Sequence, residues 1–129
     1  MEKTNSESNS LSYDKRFHKA IALFNSGDWY SAHDVFEELW HEGYGLERNT
    51  LQGILQVAVA QLHLAGGNRN GAMILFGEAL GRLSRLSTPS LGLDLDRLCE
   101  SVKQRLNILH QDGDPEQFSV PFLFQQTRN

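Results

Sequence analysis

From Arg48 to Ala65 the chain reads RNTLQGILQVAVAQLHLA. On a helix turning about 100° per residue, Leu51, Ile54, Leu55, Val57, Val59, Leu62 and Leu64 cover every side of the cylinder. A helix that is apolar all round belongs in the middle of a bundle, with other helices on each flank. It does not suit a membrane: its most apolar stretch, Ile54 to Ala65, is short and is broken by Gln56, Gln61 and His63. Everything outward of this segment reads as its packing partners.

Four more helical segments flank it. Phe17, Ile21 and Phe24 recur at helical spacing between Tyr13 and Phe24, and Asn25-Ser26-Gly27 stops that segment. A second segment runs from Trp29 to Glu42, with Asp28 as its N-cap and Gly43-Tyr44-Gly45 at its end. After the central helix, Gly66-Gly67-Asn68 leads into a segment from Asn70 to Leu86, and Ser87-Thr88-Pro89-Ser90 breaks the chain again. The last segment spans Asp94 to His110, with Leu95, Leu98, Val102, Leu106 and Leu109 on one stripe. Residues 1–12, rich in Glu, Asn and Ser, read as a disordered leader, and 13–112 as the helical domain. Residues 113–129 read as an extended tail packing on the bundle, because Val120, Phe122 and Phe124 alternate with Pro121 and Leu123.

A shift of forty residues superimposes the first two segments on the next two. Ala20, Gly27, Asp28, Ala32, Phe36 and Leu39 fall on Ala60, Gly67, Asn68, Ala72, Phe76 and Ala79. Each half is a helix, a Gly-Asp or Gly-Asn turn, and a second helix with a small residue four before a Phe. The pattern resembles the helical hairpin of tetratricopeptide repeats, although the period is longer and only two units are present. The fold class that follows is all-α: a compact bundle of about five helices, built as two such hairpins and a C-terminal helix.

Composition narrows function by exclusion. The chain has 129 residues, a formal net charge of -4 and one cysteine. The acidic balance speaks against sequence-independent binding to nucleic acid or to anionic membranes. Arg82, Arg85, Arg97, Lys103 and Arg105 are dispersed among acids and read as solvated helix faces. Cys99 cannot form an intrachain disulfide, and a reducing, cytoplasmic setting fits it.

Polar residues in apolar surroundings mark where a site could lie. Trp29, Phe36 and Trp40 gather around His33 on the second segment, so His33 is expected inside the apolar stripe, with Glu37 one turn on at its edge. Gln56 and His63, seven apart on the central helix, lie nearly on one line. A buried amide or imidazole left unpaired costs about 1–3 kcal/mol, so these groups need polar partners. The expectation is that the two helices meet across a cluster of His33, Glu37, Gln56 and His63, with Trp40 as a wall. Two readings stay open. One is a hydrogen-bond network that fixes helix pairing. The other is a site in which His33, Glu37 and His63 hold a divalent metal such as zinc or iron. Without a metal, Glu37 could act as a general base.

The stretch from Phe24 to Trp40, with His33, Glu37 and Trp40 spaced as His-x-x-x-Glu-x-x-Trp, resembles the family called domain of unknown function 309. Leu51 to Gln56, His63, and Gly67 to Ala72 resemble a second block of that family, and the likeness extends over about Phe17 to Leu86. Phe36 departs from the aliphatic residue common at that place. The resemblance implies an all-helical protein of bacterial or archaeal type, whose motif has been suggested to bind metal. The function expected is thus a metal- or small-ligand-binding polar pocket. The alternative is a helical protein-interaction module with the His/Glu cluster purely structural, using exposed aromatics near Trp29, Tyr30 and Tyr44. Pairing of two copies through such a patch is a further expectation.

Overall fold

A computed structural model describes residues 11–126. Ten residues of the expected leader, 1–10, and the last three of the tail, 127–129, lie outside the described residues. Leu11 to Tyr13 form a 3-10 turn. Five α-helices follow: α1 (Lys15–Asn25), α2 (Trp29–Glu42), α3 (Gly45–Ala65), α4 (Arg69–Leu83) and α5 (Leu95–His110). Among the described residues there is no strand, only two isolated bridges, Ser90 with Leu93 and Leu93 with Gln125. No described helix is long and apolar enough to cross a membrane.

The helices pack in chain order, α1 on α2, α2 on α3, α3 on α4 and α4 on α5. The central helix is α3, buried from Thr50 through Ala58 apart from half-buried Gln52. It begins three residues earlier than its apolar pattern predicts, because Gly45 takes a positive φ of 65° and lets the chain re-enter a helix directly after Tyr44.

The two hairpin turns are built alike. Gly27 and Gly67 both stand at φ 83°, a conformation that favours glycine. The N–H of Asp28 donates to Leu23 O at 2.9 Å, and that of Asn68 to His63 O at 2.8 Å. The Asp28 side chain accepts from Ser31 N–H and the Asn68 side chain from Gly71 N–H, so each caps its helix. Ala20, Ala32, Phe36 and Leu39 are fully buried, and so are Ala60, Ala72, Phe76 and Ala79. This arrangement is consistent with the expected tetratricopeptide-like hairpins.

One expectation for α5 is corrected. Arg105, read as part of a solvated face, is fully buried, while Leu106 is half-buried. The inward stripe is Leu95, Leu98, Val102, Arg105 and Leu109. The tail supplies the reason: it lies over this side of α5, and Arg105 Nη2 donates to Phe118 O at 3.3 Å. Burial holds the guanidinium below its ordinary pKa, with nearby Glu116 opposing the shift.

After a 3-10 turn at Pro115–Gln117, the tail runs extended. Pro121 and Leu123 face inward, while Val120, Phe122 and Phe124 remain exposed. Asn25, at the end of α1, fixes this register. Its Nδ2 donates to Leu123 O at 3.1 Å, and its Oδ1 accepts from Leu123 N–H at 2.7 Å.

Candidate functional site

The core stripe of α2 is Ala32, Phe36 and Leu39. His33 is one residue past Ala32, about 100° further round the helix. It therefore lies beside the stripe rather than inside it, with its side chain 26% exposed. The sequence pattern misplaces it because Trp29 and Trp40 are themselves half-buried and lie at the margin of the core. Glu37 and Asp34 are more open, at 48% and 57%.

The imidazole of His33 has a carboxylate at each nitrogen. Asp34 Oδ1 is 3.4 Å from Nδ1, and Glu37 Oε1 is 3.9 Å from Nε2. One donor atom from each of His33, Asp34 and Glu37 can be chosen so that all three lie within 4.8 Å of one another. Of this trio, His33 and Glu37 line a groove of about 280 Å³ between α2 and α3, to which Leu75 of α4 also contributes. Trp40, Leu55 and Val59 form its apolar walls, and Gln52 and Gln56 offer amides.

His33, Glu37, Trp40 and Gln56 are thus brought together, as expected. Gln56 does not bond to the histidine side, however. It donates to Glu78 Oε1 at 3.0 Å and accepts from Arg82 Nε at 3.4 Å, both on α4. His63 is not in the groove, and the expected pairing of His33 with His63 is corrected. Seven residues separate Gln56 from His63, which is about 10 Å along the helix axis. The level of the groove on α3 runs from Gln52 to Val59 and ends there. His63 lies instead at the second hairpin turn, where its Nδ1 pairs with Asn68 Nδ2 at 3.2 Å. It occupies the place that Leu23 holds in the first turn.

The internal repeat separates scaffold from site. Positions that bury or cap recur in both halves, whereas His33, Asp34, Glu37 and Trp40 correspond to Met73, Ile74, Gly77 and Leu80. The polar trio is therefore an addition to one hairpin and is not required by the shared architecture.

A second hollow, of about 370 Å³, continues from the first and shares Trp40 and Gln52 with it. Arg48, Asn49 and Arg82 complete its lining. The Arg48 guanidinium lies over the Trp40 ring, 3.9 Å from its centroid. Sequence reading missed these two arginines, because they are 34 positions apart and only the packing of α3 on α4 brings them to one hollow.

Cys99 is half-buried on α5, and burial together with Asp96 pushes its thiol pKa upward. That environment suits a packing residue and not a nucleophile.

Residues 17–75 match the model of the family described as Domain of unknown function (DUF309). The match covers most of α1, all of α2 and α3, and the first half of α4, and so includes the trio and both hairpin turns. No curated protein matches the chain.

Proposed function

We propose, for a chain whose residues 17–75 match the DUF309 family model, that the groove between α2 and α3 binds a small polar ligand beside a divalent cation held by His33 and Glu37, with Asp34 orienting the imidazole. The observation that carries this reading is the closeness of the three donors, two of which, on His33 and Glu37, line a Trp-walled groove. An imidazole nitrogen with carboxylate oxygens suits zinc, iron or manganese. The donors fit such an ion with little adjustment. Two ligands of one tetrahedral ion stand ~3.3 Å apart at ordinary bond lengths, against 3.9 Å between His33 Nε2 and Glu37 Oε1.

Only one nitrogen of a single imidazole can reach a given ion. With Nε2 and Glu37 on the cation, Asp34 accepts from Nδ1–H and fixes the tautomer, a common outer arrangement for ligating histidines. Few protein ligands leave positions for water or for the ligand in the groove. Bound there, the cation would supply Lewis acidity; without it, Glu37 would be the group to take a proton from a ligand in the groove.

The test is calorimetric titration with Zn²⁺ and Mn²⁺, together with elemental analysis of untagged protein. One equivalent is expected, weakened by roughly 10- to 100-fold in His33→Ala and Glu37→Gln. His63→Ala should bind as the wild type does. Equal affinity in wild type and His33→Ala would sink the assignment. Because His33 is partly exposed, His33→Ala should change stability by no more than ~0.5 kcal/mol.

A second reading has its own observation. Tyr44 and Leu46 stand exposed near each other at the junction of α2 and α3, at 79% and 72%. In that reading the chain is a helical interaction module and the His33–Glu37 pair is purely structural. Loss of a partner on Leu46→Ser, with no metal bound by the wild type, would favour it.

A further inference from the structure

The hollow beyond Trp40 has a chemistry of its own. Its polar lining consists of two guanidiniums and two amides, from Arg48, Arg82, Asn49 and Gln52, and includes no carboxylate. Among the described residues neither arginine has an ion-pair partner within 4 Å, although the chain carries a net charge of -4. The nearest acid in the hydrogen-bond pattern, Glu78, accepts from Gln56.

Both arginines are held in place without being neutralised. Trp40 covers one face of the Arg48 guanidinium at 3.9 Å and Nε is buried, which leaves the two terminal nitrogens available. Arg82 is steered through Nε, which donates to Gln56 Oε1 at 3.4 Å, so its two terminal nitrogens remain available. A planar fork fixed by its face or its stem and open at its tip is the arrangement that recognises an oxyanion through paired N–H donors. Asn49 and Gln52, on the same side of α3, add neutral donors to the same hollow.

We propose that the Arg48–Arg82 hollow is an oxyanion site, and that the ligand of the groove is a small organic anion. Its carboxylate or phosphate head lies between the two arginines, and its body runs past Trp40 and Gln52 toward His33. The anion site rests on α3, α4 and Trp40 and needs no cation at His33. The length of the ligand does rest on the groove reading, because only a ligand spanning both hollows reaches Glu37.

The probes are inorganic phosphate and succinate at matched ionic strength, added to chelator-treated protein. Binding is read by calorimetry and by the indole N–H resonance of Trp40. Saturable binding of one or both probes is expected, at least tenfold weaker in Arg82→Gln and in Arg48→Gln and unchanged in His33→Ala. The stronger of the two probes tells whether a phosphate or a carboxylate head is preferred. Arg82→Lys keeps the charge and is expected to bind more weakly than wild type, because it lacks the fork. Circular dichroism establishes that each variant is folded. Arg82 is the cleaner position, since it does not stack on the tryptophan. Absence of saturable binding by either anion overturns the proposal, as does binding indifferent to both arginine substitutions. So does binding that appears only with added Zn²⁺ and disappears in His33→Ala, because the anion would then sit on the cation. Failure of the metal titration alone leaves the expected anion results unchanged.

Discussion

Gly53 shows how one hydrogen decides the fit of two helices. It lies in the middle of α3, where glycine costs a helix about 1 kcal/mol relative to alanine. A Cβ there would stand 2.6 Å from Leu83 Cγ, and Leu83 is buried at the end of α4 with little room to withdraw. Overpacking of this kind costs about 1–3 kcal/mol. Gly53→Ala is therefore expected to lower stability by ~1 kcal/mol net, despite its better helix propensity, as read from the denaturant midpoint. The same scale sets the limit of sequence reading. Helical spacing was enough to bring His33, Glu37, Trp40 and Gln56 to one groove. It could not give the level along α3 at which the groove ends, so His63 was paired with the wrong helix. Nor could it reveal Arg105 as buried, because the cover comes from the irregular tail beyond the helix, where Phe118 accepts from it, and helical spacing says nothing of where that tail folds.

At the scale of elements, pattern and structure agree closely, since caps and glycine turns are local. Asp28, Asn68 and Asp94 each cap the helix that follows, and the forty-residue shift identifies the positions that both hairpins bury. The tie between α1 and α2 is not local. Arg16 donates through Nη1 to Glu42 Oε2 at 2.8 Å and through Nη2 to Glu42 Oε1 at 2.7 Å, and it also pairs with Asp14 at 2.7 Å. These bonds hold the carboxyls of Asp14 and Glu42 below their usual range and the guanidinium above its own. For a carboxyl depressed on folding, the stabilisation is present above the unfolded pKa, near 4, and is lost as pH falls through the folded value. Arg16→Ala should therefore begin acid unfolding at higher pH than wild type, and the two should converge at strongly acidic pH where both carboxyls are protonated. Because these groups lie at the surface, 1 M salt should shrink the difference.

At the scale of the molecule, the tail completes what the helices leave open. It covers Arg105, pairs with the loop before α5 through Asp94 N–H to Phe124 O at 2.9 Å, and is clamped by Asn25. Its alternation was legible, but not which residues face inward. That choice is fixed by the Asn25 amide, which grips Leu123 on both its N–H and its carbonyl as a neighbouring peptide would. The two residues are 98 positions apart, so this contact closes nearly the whole described chain into a loop. Such a contact is entropically costly to form before the bundle exists, which places it after the folding barrier. Asn25→Ala should then leave the refolding rate close to wild type and raise the unfolding rate, in stopped-flow measurements, by the full loss of about 1–3 kcal/mol. The clamp is thus a kinetic latch: it does little to make the bundle assemble, and it sets how long the assembled bundle lasts.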